Sequence, residues 1–177
     1  QHDNVEQVQV FAQKGGIMMT GGQFEGITLR GVGDDFDWSF FEERLREGAL
    51  PQLLQGEPSR DILISAITAR RLQLSVGDRV EVHFIESAAK PTRKRVFNVS
   101  GIYGTGLAEY DRYFAFVDLR QIQRLNNWQD NQIGGYELRV HNTDRILTTA
   151  DNLNTTYIGY DKIAQSLQRI YPNIFDW

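Results

Sequence analysis

The sequence predicts an α+β fold, and three observations carry that prediction. The stretch Asp61–Phe84, DILISAITARRLQLSVGDRVEVHF, reads as strand, helix, turn and strand in order. Strand-type runs bracketed by glycine pairs precede it. Short helical periods, each behind a capping residue (Ser39, Ser65, Asp118, Asp161), punctuate the chain.

Within the central stretch, Ile62–Ile64 is a short apolar strand run and Ser65 a natural N-cap, whose hydroxyl can accept from the free amides of the first helical turn. Ala66, Ala69 and Leu72 recur at helical spacing, and Gly77-Asp78 supplies a turn. Val80, Val82 and Phe84 then alternate with Arg79, Glu81 and His83, the pattern of a half-buried strand.

Upstream, Val5, Val8 and Phe11/Ala12 give a short helical period, although the alternation in VQVFA also suits a strand. Gly15-Gly16 and Gly21-Gly22 bracket a strand at Ile17–Thr20, and Phe24–Val32 forms another; the glycine pairs favour a hairpin. Asp34-Asp35-Phe36-Asp37 lacks the acidic ladder and distal Glu of a calcium loop and reads as an acidic helix start. Ser39-x-x-Glu42 is a capping-box pattern for a helix to Glu47, with Trp38, Phe41 and Leu45 facing the core. Gly48–Arg60, with Pro51, Gly56 and Pro58, is a connection.

Downstream, Glu86–Arg95 places Pro91 among Lys90, Arg93, Lys94 and Arg95 and enters a strand at Val96–Tyr103, making a hairpin with a basic tip. Gly101-x-x-Gly104-x-Gly106 lacks the Lys-Ser/Thr of a phosphate loop and reads as a strand end with a turn. Tyr113–Val117 is a strand. Asp118 caps a helix through Leu119, Ile122 and Leu125, with Gln121 completing the box. Asn126–Gly135 is a polar connection around Trp128, Tyr136–Val140 a strand, and Asn142-Thr143-Asp144 starts a helix to about Leu153. Asp161 caps a last helix carrying Ile163, Leu167 and Ile170, which Pro172 bends or ends.

With 177 residues, 41% of them hydrophobic, the chain can bury one core or two small ones. Its net charge of −4 argues against a dedicated nucleic-acid binder. The absence of Cys removes disulfides, thiolate chemistry and Cys-type zinc sites. No run approaches the roughly 20 apolar residues of a membrane helix. The chain opens at Gln1 without a signal peptide, as a mature or trimmed protein would.

"ILIS…TARRL.L.VGDRVEV.F", followed by "RVFNVSGIYGTG" and "FAFVDLRQIQRLN", resembles the extracytoplasmic domain of ABC-transporter permeases with an FtsX-like membrane part. The closest group is the lipoprotein-releasing LolC/LolE type, together with MacB-like permeases, over about Gly26–Trp177. The resemblance implies a discontinuous α+β architecture. Residues 1–47 and 127–177 would form a porter-like βα layer, and 48–126 an inserted β-rich, sabre-like part. That layer usually begins with one more strand upstream of a helix at Val5–Phe11, and the chain is expected to start just after it, as a loop excised from between two membrane helices. Trp177 would then sit near the membrane, where indoles favour the interface.

The resemblance also implies partners: a cytoplasmic ABC ATPase subunit, a second permease copy or paralogue, a periplasmic lipoprotein carrier or adaptor, lipoprotein cargo, and the inner membrane through flanking helices. In the lipoprotein-releasing family the corresponding hairpin reaches out to the carrier. That makes Lys90, Pro91, Arg93, Lys94 and Arg95 the candidate partner-binding residues, on a tip shorter than the hook of better-known relatives.

No catalytic set emerges. His2, His83 and His141 are widely spaced, with no HExxH or His-x-His; His83 falls on the polar face of its strand, and Ser65 lacks a G-x-S-x-G frame. No Walker motif is present, so ATP chemistry belongs to a separate subunit. The chain is expected to be non-catalytic, without cofactor, metal or nucleic-acid partner. Trp38, Trp128, Tyr110 and Tyr113 pack in a core or, on a rival reading, recognise peptide or oligosaccharide in a stand-alone binding module. An exposed apolar patch favours lipoprotein release, a polar docking rim favours MacB-like mechanical coupling, and a perturbed acid–base pair in a deep pocket favours a hydrolytic module.

Overall fold

A computed structural model describes residues 2–53, 55–85 and 92–170. The order is β1 (Val5–Thr20), β2 (Gln23–Val32), α1 (Ser39–Glu42), β3 (Leu45–Gly48), β4 (Asp61–Ser65), α2 (Ala66–Leu72), β5 (Arg79–Phe84), β6 (Arg93–Tyr103), α3 (Ala108–Tyr113), β7 (Phe114–Asp118), α4 (Leu119–Asn126), β8 (Gly135–Val140), α5 (Ile146–Asn152) and α6 (Leu167–Ile170). The fold mixes helix and strand, as expected.

The chain forms two compact units: Gln9–Tyr136, and a discontinuous unit of Gln1–Val8 with Glu137–Trp177. The expected segments 1–47, 48–126 and 127–177 do not coincide with these units. β1 pairs with β5, and β2 with β7, so strands of the first segment join the sheet of the second.

In Gln9–Tyr136 the pairings run in a closed circuit, β1–β2–β7–β4–β6–β5 and back to β1. The β1–β2 hairpin turns through Gly21 and Gly22, at φ 52° and 84°, a region glycine enters without steric cost. Gly15-Gly16 is no turn; it lies inside β1, opposite Thr28 and Ile27. β4 and β7 are apolar on both faces because both faces are covered. Ile62, Ile64, Ala115 and Val117 enter one core cluster, whereas Leu63, Phe114 and Phe116 enter a second with Phe41 and Tyr103.

Ser65 caps α2 as expected, its Oγ accepting from the Thr68 N–H at 3.1 Å. Asp118 caps α4 through the Arg120 N–H at 2.9 Å. Gln121 does not complete that box; it is buried and donates instead to the Ser59 carbonyl at 2.8 Å.

Further expectations are corrected. The helical period at Val5–Phe11 is the first half of a 16-residue strand, so the alternation in VQVFA decides. The helix expected to reach Glu47 stops at Glu42, and Leu45–Gly48 pairs with β6 instead. Ser39 is not the cap of that helix: the N-cap position is Trp38, without a side-chain cap bond, and Asp37 Oδ1 accepts from the Ser39 N–H at 2.9 Å. Tyr113 ends a helix absent from the sequence reading, and the strand runs Phe114–Asp118.

In the discontinuous unit, Asn4 is the organising residue. Its Oδ1 accepts from the Asn142 N–H at 2.9 Å, and its Nδ2 donates to Thr149 Oγ1 at 2.8 Å and the Asn142 carbonyl at 3.1 Å. Asn142 starts the helical stretch as expected, accepting from the Asp144 N–H. Another correction falls on the helix expected from Asp161, which exists only at Leu167–Ile170. Both the N–H and the carbonyl of Ala164 are bonded by the Asn154 side chain, at 2.7 and 2.9 Å, so Ala164 cannot join a helical ladder. The expectations for Pro172 and Trp177 lie outside the described residues. Among the described residues no helix is long and apolar enough to cross a membrane.

Candidate functional site: a basic cleft beside the β5–β6 hairpin

Of the five residues expected at a basic hairpin tip, Lys90 and Pro91 lie outside the described residues. The other three are not at the tip. Arg93, Lys94 and Arg95 are ladder residues of β6, opposite Phe84, His83 and Val82.

Strand alternation sends them to different faces. Lys94 lies with Glu81 and His83: its Nζ is 3.2 Å from Glu81 Oε1, and His83 Nε2 is 3.1 Å from Glu81 Oε2. Lys94 and His83 hold the exposed Glu81 carboxyl below the usual carboxylate range. His83 is therefore half-buried and paired, not simply exposed. Arg93 donates to the Leu125 carbonyl at the end of α4, where a cation complements the free carbonyls.

Lys94 and Arg95 are brought together with residues that the sequence reading did not connect to them. A cavity of about 490 Å³ is lined by Pro58 and Arg60 from the connection before β4, Lys94 and Arg95 from β6, and Gln121 and Arg124 from α4. Glu57 is the one carboxylate of the lining; it meets Arg124 at 2.8 Å and is highly exposed.

The frame behind the cleft is fixed. Asn98 N donates to the Arg60 carbonyl at 2.8 Å, and Asp118 Oδ2 accepts from the Ser59 N–H at 2.9 Å. Gln121 holds the Ser59 carbonyl, and the Arg120 guanidinium binds Asp118 through Nε and Nη2 and the Gly56 carbonyl through Nη1. Burial, then the like charges of Arg93, Arg124 and Arg60, push the Arg95 guanidinium below its ordinary value. It remains a cation at neutral pH.

The other candidates resolve into structure. Asp35 accepts from the Val10 N–H at 2.8 Å, which ties the acidic run to β1. Ser65 is fully buried, donating to the Asp111 carbonyl. Trp38 and Tyr110 pack on the second core cluster and Trp128 on the first, as the core reading expects, whereas Tyr113 is exposed. Among the described residues no group of three or more His, Asp or Glu side chains is placed to hold a metal ion. Exposed apolar side chains gather late in the chain: Tyr157, Tyr160, Ile163, Leu167 and Ile170.

No family model matches the chain. It is 26% identical over 142 residues to the lipoprotein-releasing system transmembrane protein LolC of Xylella fastidiosa strain Temecula1, covering 77% of this chain and 33% of that protein. LolC of strain 9a5c matches to the same extent. The chain thus spans about a third of the length of these relatives. Among solved structures, the extracellular domain of the noncanonic ABC-type transporter YknZ from Gram-positive bacteria matches with a TM-score of 0.57 at 19% identity, over 88% of this chain and 78% of that one. The periplasmic region of MacB from Actinobacillus actinomycetemcomitans matches with a TM-score of 0.58 at 14% identity, over 100% of this chain and 79% of that one. The resemblance read from the sequence holds. The chain has the fold of these extracytoplasmic transporter domains and is similar in sequence to LolC.

Proposed function

We propose that this chain is the periplasmic domain of an FtsX-like ABC transporter permease of the inner membrane, acting in lipoprotein release. Similarity to LolC over 77% of the chain, joined to the MacB-type fold, is the observation that carries the reading. In this reading a separate cytoplasmic ATPase subunit hydrolyses ATP and the domain itself is non-catalytic. A second permease copy or paralogue completes the complex. The discontinuous unit corresponds to a porter-like part, and the sabre-like part lies within Gln9–Tyr136.

Two features support lipoprotein cargo and its hand-over to a carrier. The exposed apolar side chains between Tyr157 and Ile170 offer surface to a lipid-bearing substrate. The β5–β6 hairpin, with Lys90, Pro91, Arg93, Lys94 and Arg95, offers cations to an acidic carrier face. The second reading, MacB-like mechanical coupling to a periplasmic adaptor, draws on the fold match.

The test uses the full-length protein with a single cysteine in place of the exposed Thr92, next to Arg93, in an otherwise cysteine-free background. A membrane-impermeant maleimide should label it in cells whose outer membrane alone is permeabilised, and an ABC ATPase should copurify with the protein. Labelling only after inner-membrane lysis, or purification without an ATPase, would refute the permease reading.

A further inference from the structure

The basic cleft carries an inference that stands apart from the transporter reading. We propose that the cavity between Arg60, Arg95 and Arg124 is a binding site for a phosphate group, as a phosphomonoester or phosphodiester. The chain is acidic overall, yet this lining sets three guanidinium groups, Arg60, Arg95 and Arg124, against the single carboxylate of Glu57, while Lys94 turns its ammonium to Glu81 on the other face of β6. Such a concentration of one sign on a concave surface raises the local concentration of an anion.

Among the described residues neither Arg60 nor Arg95 meets a carboxylate; Arg95 donates one N–H to the Lys94 carbonyl and keeps the rest of its fork. Arg124 does meet a carboxylate, Glu57, but that pair is exposed and easily exchanged. Glu57 would release Arg124 to an incoming anion.

Phosphate fits better than carboxylate. Three guanidinium forks offer more N–H donors than two carboxylate oxygens can accept, whereas a tetrahedral phosphate presents oxygens in several directions. The volume, about 490 Å³, is that of a small-ligand site, larger than phosphate alone and suited to a phosphate with a substituent. The bonds of Ser59 to Asp118 and of Asn98 to the Arg60 carbonyl fix the backbone that carries Arg60 before binding, so less of the loop has to be ordered.

A soluble phosphate ester and a phospholipid headgroup share this chemistry, and the probes separate them. Inorganic phosphate, glycerol 3-phosphate and phosphatidylglycerol vesicles are each titrated into the protein by calorimetry. Amide shifts at Arg60, Arg95 and Arg124 are followed by NMR for the two soluble probes. The expected result is saturable binding of at least one probe, weakened about tenfold or more by Arg60→Gln with Arg95→Gln, since each lost charge-assisted bond is worth about a decade. Arg79→Gln, on β5 outside the lining, should leave the affinity within about twofold, because high dielectric and salt screen distant charges.

Binding of vesicles alone assigns the site to a lipid headgroup, and binding of the soluble probes alone to a free ester. No saturable binding of any probe overturns the proposal, as does binding that the double variant leaves intact. If the double variant does not fold by circular dichroism, Arg124→Gln, at an exposed helix position, decides by the same criterion. A domain that works as a permease part with no affinity for these probes would refute this site and leave the transporter reading standing.

Discussion

Asp118 joins the helix behind the cleft to the loop that forms its rim, so Asp118→Ala tests whether this frame is built as described. The carboxylate is almost fully buried and accepts from the Arg120 N–H, the Ser59 N–H and the Arg120 guanidinium, the last at 2.6 and 3.0 Å. Losing the cap costs about 1 kcal/mol. Leaving the part-buried Ser59 N–H without its acceptor costs about 1–2 kcal/mol. The Arg120 side chain is 34% exposed, so water takes over its free end and the ion pair adds less than about 1 kcal/mol.

The total is about 2–4 kcal/mol, a fall in Tm of about 4–16 °C for a chain of this size. Urea unfolding followed by far-UV circular dichroism measures it. Asp118→Asn keeps an oxygen for the cap but presents an NH2 to the Ser59 N–H, so it recovers no more than the cap's share, about 1 kcal/mol. If Asp118→Ala unfolds within about 0.5 kcal/mol of the parent, the range of ordinary surface substitutions, the carboxylate does not hold the rim.

Other perturbations probe the same framework. Gly101 lies where β3 and β4 flank β6, and a Cβ there would fall 2.4 Å from the Ala49 carbonyl oxygen. Gly101→Ala should cost about 1–3 kcal/mol, whereas Gly15→Ala, whose Cβ meets nothing within 4 Å, should be nearly neutral in the same denaturation assay. Phe116 is 1% exposed and contacts the rings of Phe36, Trp38, Phe41 and Tyr103, so Phe116→Ala should lose about 3–5 kcal/mol. Burial, with smaller contributions from Tyr110 and Asp111, drives the Tyr103 phenol far above the ordinary tyrosine range, and its hydroxyl donates to the Phe114 carbonyl at 2.9 Å. Above about pH 10 the unfolded chain therefore binds fewer protons than the folded one, and stability falls as pH rises. Tyr103→Phe should flatten that alkaline slope, read as Tm against pH.

Much of the fold was legible because local chemistry and tertiary pairing agree. Ser65 and Asp118 are caps in sequence and in space, and Val80, Val82 and Phe84 alternate because one face of β5 is buried. The Leu45–Gly48 segment was misread because a capping-box pattern points to helix, while its partner β6 lies more than 50 residues away. The run after Asp161 was misread because nothing in its spacing shows that the Asn154 side chain occupies both backbone groups of Ala164. The cleft was half legible. A basic run at Lys90–Arg95 stands out, but Arg60 sits before a strand and Arg124 in the last turn of a helix, each an ordinary surface arginine in sequence. Only the pairing of β4 with β6 and the packing of α4 bring them to one cavity.

The central claim is that this domain serves lipoprotein release. The most direct measurement reconstitutes the full-length permease and its ATPase in proteoliposomes loaded with a lipoprotein, then adds ATP and a soluble carrier. The account predicts lipoprotein in the soluble fraction only when ATP and carrier are both present, and much less of it when Arg93, Lys94 and Arg95 are reversed to Glu. ATP hydrolysis that leaves the lipoprotein in the membrane under every condition would contradict the account and favour mechanical coupling of the MacB kind.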